Sequence, residues 1–595
     1  MMNQEIKDRG DVALEYTWKL ENIYASDQEW EQDFERLRAL LPALADHSGK
    51  LGDAAGFDAC MRDMLAAEKI CEYLFVYAKM RRDENNADAT YQGMTDRAQG
   101  MMVELSAASS FVSPELAKVP DETLLAWAKL PTMQEYAHYL EDFVRTKAHI
   151  LSEAEEKLLA LSGEVGALPN TVFTMFNDAD LRFPSVTMPD GTQIEITHGR
   201  YRNFVENENR DVRRQAYEKM YQTYQKNINT LAALYGGSVK KDVFYAKVRR
   251  YPSAIEAALH SNNVPLSVYD SLIEAVRGSQ DVMGRYLKLR KKTLGLSELA
   301  MYDVYAPLIS GADKEVGYEE AQGLIVDALA PLGEEYGGLL RRAFSERWID
   351  VYENRGKTSG AYCWGAYGVH PYVLLNYQNT LDYVFTVAHE LGHAMHSYYS
   401  DENNSYLNAS YRIFVAEVAS TVNEVLLTHH ILNTTQDEKL KKHLLNNYLE
   451  QFRTTVFRQT MFAEFEKISH QMAQEGQPLT ADSLSKVYAE LNAFYYPTVV
   501  QDDYIAVEWA RIPHFYRAFY VYQYATGFSA AVAIATRMLQ GGPVEDYLAF
   551  LKSGGRDYPI ELLKIAGVDL TSPKPVQDCM QAFADTLMQL EKILE

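Results

Sequence analysis

The chain is 595 residues long, 47% hydrophobic and 24% charged, and Lys+Arg 58 against Asp+Glu 82 leaves a formal charge of −24. Such a length supports a large core, while the acidic surplus argues against sequence-independent binding of nucleic acid, which needs basic surface to displace counterions. No uninterrupted apolar run of about 18 residues reads as a membrane span, so no membrane partner is expected.

The opening stretch MMNQEIKDRGDVALEYTWKLENIY lacks the apolar run of a secretory signal. Cys60, Cys71, Cys363 and Cys579 are scattered and fit neither a disulfide framework nor a zinc ribbon. A cytoplasmic, reducing setting with buried thiols is therefore expected. Ser26 followed by Glu29 has the form of a capping box at a helix start. Helical spacing of apolar residues then recurs at roughly 54–78, 203–233, 266–295, 318–345, 438–474 and 573–594. Between the first two lies FPSVTMPDGTQIEITHG (183–199), where Asp190-Gly191 between alternating segments predicts a hairpin. It marks a weak boundary, separating an N-terminal helical region at 1–200 from a larger region at 201–595. A second strand-like stretch is AYCWGAYGVHPYVLLNY (361–377). The expected class is mainly α with small β elements.

Immediately after that stretch comes FTVAHELGHAMHSYY (385–399). In a helix, residues i and i+4 share a face, so His389 and His393 aim their imidazoles at one point, as half of a zinc site. Glu390, beside the first ligand, is placed to act as general base on a metal-activated water. Val384, Ala388, Leu391 and Met395 form an apolar stripe on another side of the same helix. A His-Glu-x-x-His string arises by chance roughly 0.02–0.03 times in a chain of this composition, which favours zinc over a solvated face. Gly392 inside the motif costs roughly 1 kcal/mol against alanine in a helix, so a close neighbour is expected there.

A catalytic zinc has three protein ligands and one open position. RIFVAEVASTVNEVLL (412–427) is a second apolar helix with two carboxylates, Glu417 and Glu424, seven residues apart on one face. Burying an acid in so apolar a helix is costly unless it is paired or metal-bound. One of the two can ligand the metal while the other orients a histidine from behind.

HELGHAMHSYYS followed by FVAEVASTVNE resembles oligoendopeptidase F, of the thimet-oligopeptidase-like zinc metallopeptidases. YTWKLENIYASDQEW, SGAYCWG, PYVLLNY and PHFYRAFYVYQYATGFSAA extend the likeness over nearly the whole chain. The resemblance implies one zinc per chain on His389, His393 and Glu417, with Glu390 as catalytic base and Glu424 as the supporting carboxylate. Ala419 stands where thimet-type relatives carry proline, as in oligoendopeptidases F. It also implies a large helical metallopeptidase with a deep substrate cleft that admits short peptides, and a short antiparallel sheet beside the metal helix.

Toward the end, RIPHFYRAFYVYQYATGF (511–528) crowds His514, Tyr516, Tyr520, Tyr522 and Tyr524 together. By spacing alone such an aromatic stripe is more often core than catalysis. By the resemblance, His514, Tyr522 and Tyr520 stabilise the oxyanion of the tetrahedral intermediate. The strand PYVLLNY is either a core strand or an exposed edge that pairs with an extended peptide. The resemblance assigns peptide binding to the Gly360-Ala361 backbone beside it. The expected activity is zinc-dependent hydrolysis of internal bonds in oligopeptides. A zinc carboxypeptidase and a non-catalytic scaffold are the alternatives, and oligomeric state is left open.

Overall fold

The structure, a computed structural model, describes residues 6–309 and 315–594. Residues 1–5 of the stretch read for a secretory signal lie outside the described residues. Among the described residues five short strands run in chain order as β1 (Ser185–Thr187), β2 (Gln193–Glu195), β3 (Ile349–Asp350), β4 (Tyr362–Trp364) and β5 (Tyr372–Leu374). Six helices carry the argument that follows: α1 (Ala54–Glu84), α2 (Leu381–Asn403), α3 (Ile413–Thr434), α4 (Glu438–Gln451), α5 (Arg458–Gln474) and α6 (Tyr522–Leu539). The chain is mainly α, as its periodicities predict.

Packing divides it into two compact units. The first takes its described residues from 1–150, 313–431 and 534–567, the second from 151–312, 432–533 and 568–595. This division differs from the expected one at residue 200. Each unit is assembled from segments far apart in sequence, so contact, and not chain order, sets its limits.

In the first unit α1 is the central post. Its Phe57, Met61, Leu74 and Tyr77 are buried, and Trp30 packs against it while donating from Nε1 to the Leu74 carbonyl at 2.8 Å. The helix start at Ser26 is capped as predicted, with Ser26 Oγ accepting from the Glu29 N–H at 3.4 Å. The return arm shifts by one residue: Glu29 Oε2 accepts from the Ala25 N–H at 3.0 Å.

The small sheet of this unit corrects two expectations. It is mixed and not antiparallel, with order β3-β5-β4, β3 parallel and β4 antiparallel to β5. PYVLLNY is therefore its central strand, paired on both sides and buried, and no free edge for a peptide. The outer strand next to it is β4, partly buried, which directly follows Gly360 and Ala361. Gly360 adopts φ 87°, and its carbonyl accepts from Asn376 Nδ2 at 2.8 Å.

The second unit contains the predicted hairpin. β1 and β2 pair antiparallel with Thr187 opposite Gln193. Asp190 Oδ1 accepts from the Thr192 N–H at 2.9 Å, and Gly191 sits at φ 87°, the left-handed position that a three-residue hairpin loop reserves for glycine. Several predicted helices prove to be pairs. The 266–295 span breaks between Arg277 and Gln280, and in the first unit the 318–345 span breaks at Gly333, φ 90°. The 438–474 span stays continuous, but Phe452–Phe457 between α4 and α5 is one π-helical turn.

Candidate active site

The site grows from the packing of α2 on α3 in the first unit. Val384, Ala388, Leu391 and Met395 are all buried, so the apolar stripe of α2 faces the core. Gly392 is where the two helices touch. A Cβ built there would stand 2.5 Å from Ser420 Cα and 2.7 Å from the Ala419 carbonyl oxygen. Only glycine lets the backbones come this close. Asn423 fixes the register, donating from Nδ2 to the Ala388 carbonyl at 3.0 Å and accepting from the Tyr336 hydroxyl at 3.0 Å. Because the contact falls at Ser420, Glu417 and Glu424 lie a turn to either side of it.

Three ligand atoms converge as a result. His389 Nε2 and His393 Nε2 are 3.2 Å apart, and Glu417 Oε2 is 3.4 Å from the first and 3.6 Å from the second. Tetrahedral zinc bonds of roughly 2.0–2.1 Å separate ligand atoms by roughly 3.3–3.4 Å, so this triangle fits such an ion. Among the described residues, His389, His393 and Glu417 are the one His/Cys/Asp/Glu group close enough to hold a metal. Behind it, His389 Nδ1 donates to Glu424 Oε1 at 2.5 Å, which leaves the Nε2 lone pair for a metal.

Electrostatics point the same way. Burial pulls His389 down, but hydrogen bonds to Glu417 and Glu424 outweigh it and raise its pKa to about 10. Burial and the neighbouring His389 push His393 down to about 4. The carboxylates that stabilise a proton on His389 also suit a divalent cation in its place. Glu390 stands apart from the triangle: it is buried and accepts from the Cys363 backbone N–H of β4. Burial raises its pKa to about 7, matched to taking up and releasing a proton near neutrality. His396, one turn beyond His393, is buried and stacked on Tyr411, ring centroids 3.7 Å apart, outside the ligand set.

In the second unit, the His514 segment divides its tyrosines. The Tyr524 hydroxyl lies 3.5 Å from His514 Nε2, and the Tyr520 and Tyr524 rings lie 5.4 Å apart. Tyr522 points elsewhere: it is 1% exposed, with its ring 5.0 Å from that of Tyr269. That places Tyr522 in the core beside Tyr269, against the expectation that it serves the oxyanion. Tyr520 precedes the first residue of α6 and Tyr524 lies in its first turn, and their rings meet edge to face. The contact with His514 favours Tyr524, which sequence reasoning set aside.

Two further residues carried no sequence signal. Phe519 adopts φ 55°, a left-handed conformation costing a side-chain-bearing residue roughly 1–2 kcal/mol. Its N–H donates to Oε1 of the buried Glu466 of α5 at 3.0 Å, so this clamp holds the turn that leads into Tyr520.

A convergent His/His/Glu triangle, with a carboxyl-backed imidazole and an adjacent base, is the donor set of a metal-dependent hydrolase. Comparison with known proteins gives the family. Peptidase family M3 matches residues 203–582, and the oligopeptidase F family matches residues 115–183. Oligopeptidase PepF of Bacillus subtilis is 44% identical over 99% of this chain and 89% of its own length. An oligoendopeptidase F homolog of Lactococcus lactis is 41% identical over 99% of both chains. The crystal structure of oligoendopeptidase-F from Enterococcus faecium superposes with a TM-score of 0.73 at 36% identity, covering 96% of this chain and 99% of that one. The chain belongs to peptidase family M3, in its oligoendopeptidase F branch, and is a metalloendopeptidase acting on peptides.

One prediction follows from the helix contact. Gly392→Ala drives a methyl group into the α3 backbone, a clash of the kind that costs about 1–3 kcal/mol. It is expected to lower the melting temperature and, by moving Glu417 off the histidines, to weaken metal binding by about tenfold or more. Calorimetry and a metal titration on one preparation check both. Unchanged metal affinity would mean that the helix spacing does not set the ligand triangle.

Proposed function

We propose that this chain is a zinc endopeptidase that cuts internal bonds of short oligopeptides, with His389, His393 and Glu417 holding the ion. The observation that carries the reading is the ligand triangle, whose 3.2, 3.4 and 3.6 Å edges suit zinc. When bound, zinc supplies Lewis acidity to polarise the peptide carbonyl and to acidify water. Glu390 takes the proton from the attacking water and returns it to the leaving nitrogen. Glu424 keeps His389 in the tautomer that exposes Nε2. His514, with Tyr520 and Tyr524, supplies donors to the tetrahedral oxygen, such donors commonly contributing roughly 3–4 kcal/mol each. The backbone of Gly360 and Ala361, leading into β4, binds the substrate chain. The restriction to short peptides is supported by the relatives, which are oligopeptidases by name. Among the described residues no helix is long and apolar enough to cross a membrane, and four free cysteines support a place in the reducing cytoplasm.

Mass spectrometry of products from a mixed set of unrelated peptides, with and without chelator, tests the proposal. Internal cuts lost with chelator are expected. Single-residue losses from C-termini would replace the reading with a carboxypeptidase, and intact peptides would replace it with a scaffold.

The tyrosine assignment makes its own prediction. Tyr524→Phe is expected to lower kcat and kcat/KM together with metal content unchanged, since its hydroxyl acts in the transition state. Tyr522→Phe is expected to leave kcat near wild type and to cost about 1 kcal/mol of stability. The reverse pattern in parallel kinetic and melting measurements would return the role to Tyr522.

A further inference from the structure

Strand β4 presents two faces, and the peptidase chemistry uses only one of them. The Val373 N–H of β5 turns away from β4, donating to the carbonyl of Trp348, just before β3, at 2.9 Å. Cys363, opposite Val373, therefore points its own N–H out of the sheet edge, where it meets Glu390. Side chains alternate along a strand, so Tyr362 and Trp364 share the face that Cys363 does not. That face belongs to α1. The Tyr362 hydroxyl donates to Asp83 Oδ2 at 2.8 Å, and the Trp364 and Phe75 rings meet edge to face with centroids 5.8 Å apart.

Under β5 this face is filled by Tyr372 and Leu374, both fully buried, whereas Trp364 is only partly covered. Beside Trp364 lies a cavity of about 420 Å³, walled by α1 and by the helix Ala89–Ala108. Its size falls in the range of small-ligand sites, roughly 300–1,000 Å³. Phe75, Trp364 and Tyr406 line it with rings, and Met102 at its rim is exposed. Two acids of α1, Glu68 and Glu72, lie one turn apart in the same wall.

These acids lack a counter-charge. Among the described residues neither forms an ion pair, and burial raises both, Glu72 to about 7. Glu72 Oε2 accepts one long bond, from the Tyr367 N–H at 3.5 Å. The Lys69 ammonium lends Glu72 some positive charge, but it stands over the Tyr367 ring, 4.7 Å from the centroid. An apolar guest would strip water from the two carboxyls and pair neither, which is costly. A basic side chain answers every part of the wall. Its carbon stem lies on apolar surface, its charge sits against rings, and its N–H groups meet carboxylates.

We propose that this cavity binds a basic side chain of the peptide substrate, arginine above lysine, and so sets a sequence preference. The inference rests on the endopeptidase reading, in which the substrate runs along β4. A peptide extended on that edge turns alternate side chains to the α1 face, and one of them enters beside Trp364. Arginine leads because its planar guanidinium stacks on rings and grips carboxylates through two N–H groups.

The test gives the full, zinc-loaded chain peptides of one parent sequence. Arginine, lysine, leucine or glutamate is placed in turn at each position on either side of the cut bond. At one position kcat/KM for arginine is expected to exceed that for leucine about tenfold, with lysine between them and glutamate last. In the Glu68→Gln, Glu72→Gln double variant the arginine-to-leucine ratio should fall to about twofold or less. The ratio is read on one preparation, so any loss of folded enzyme cancels. An arginine advantage at no position in the wild type, or one that the double variant keeps in full, would overturn the site. Leucine peptides cut internally would still uphold the endopeptidase reading, whose own failure is that no peptide is cut inside.

Discussion

Glu390→Gln is expected to bind metal as tightly as the wild type and to lose on the order of 10²–10⁴-fold in kcat. The glutamine keeps the shape of the side chain and its acceptor for the Cys363 N–H, so the junction between α2 and β4 survives. It has no basic oxygen to take a proton, so the chemistry alone should fail. Because Glu390 lies outside the ligand triangle, loss of metal in this variant would show that the assignment of base and ligand is reversed.

Glu417→Ala is expected to fail the other way, losing both metal and activity. It removes one corner of the triangle and leaves two imidazoles 3.2 Å apart with no carboxylate between them. Glu424→Gln supplies the control. It weakens the hold on His389 Nδ1 without removing a ligand, and such changes typically cost 10–100-fold in metal affinity or activity. Metal affinity should therefore fall in the order wild type, Glu424→Gln, Glu417→Ala. Equal affinities for the last two would mean that Glu424 is the third ligand.

Much of this centre is legible in the sequence, because the helix period does the geometry. The i, i+4 spacing brings His389 and His393 together, and acids at 417 and 424 in an otherwise apolar run have few affordable places except beside a metal. Gly392 announces the close helix contact found at Ser420. What the sequence conceals depends on partners distant in the chain. PYVLLNY reads equally well as edge or centre, and only β3 and β4 on its two sides make it central. Tyr522 looks like its neighbours until Tyr269 is seen against its ring. The clamp of Glu466 on Phe519 joins residues 53 positions apart, which no local pattern announces.

The central claim is that His389, His393 and Glu417 hold one zinc on which turnover depends. Its most direct test is elemental analysis of the purified chain, paired with kcat on the same samples as a chelator strips the metal and zinc is returned. Metal content should begin at one zinc per chain, fall in proportion to kcat, and recover with it, while the helical signal stays nearly constant. Full turnover in samples stripped of zinc would contradict the account.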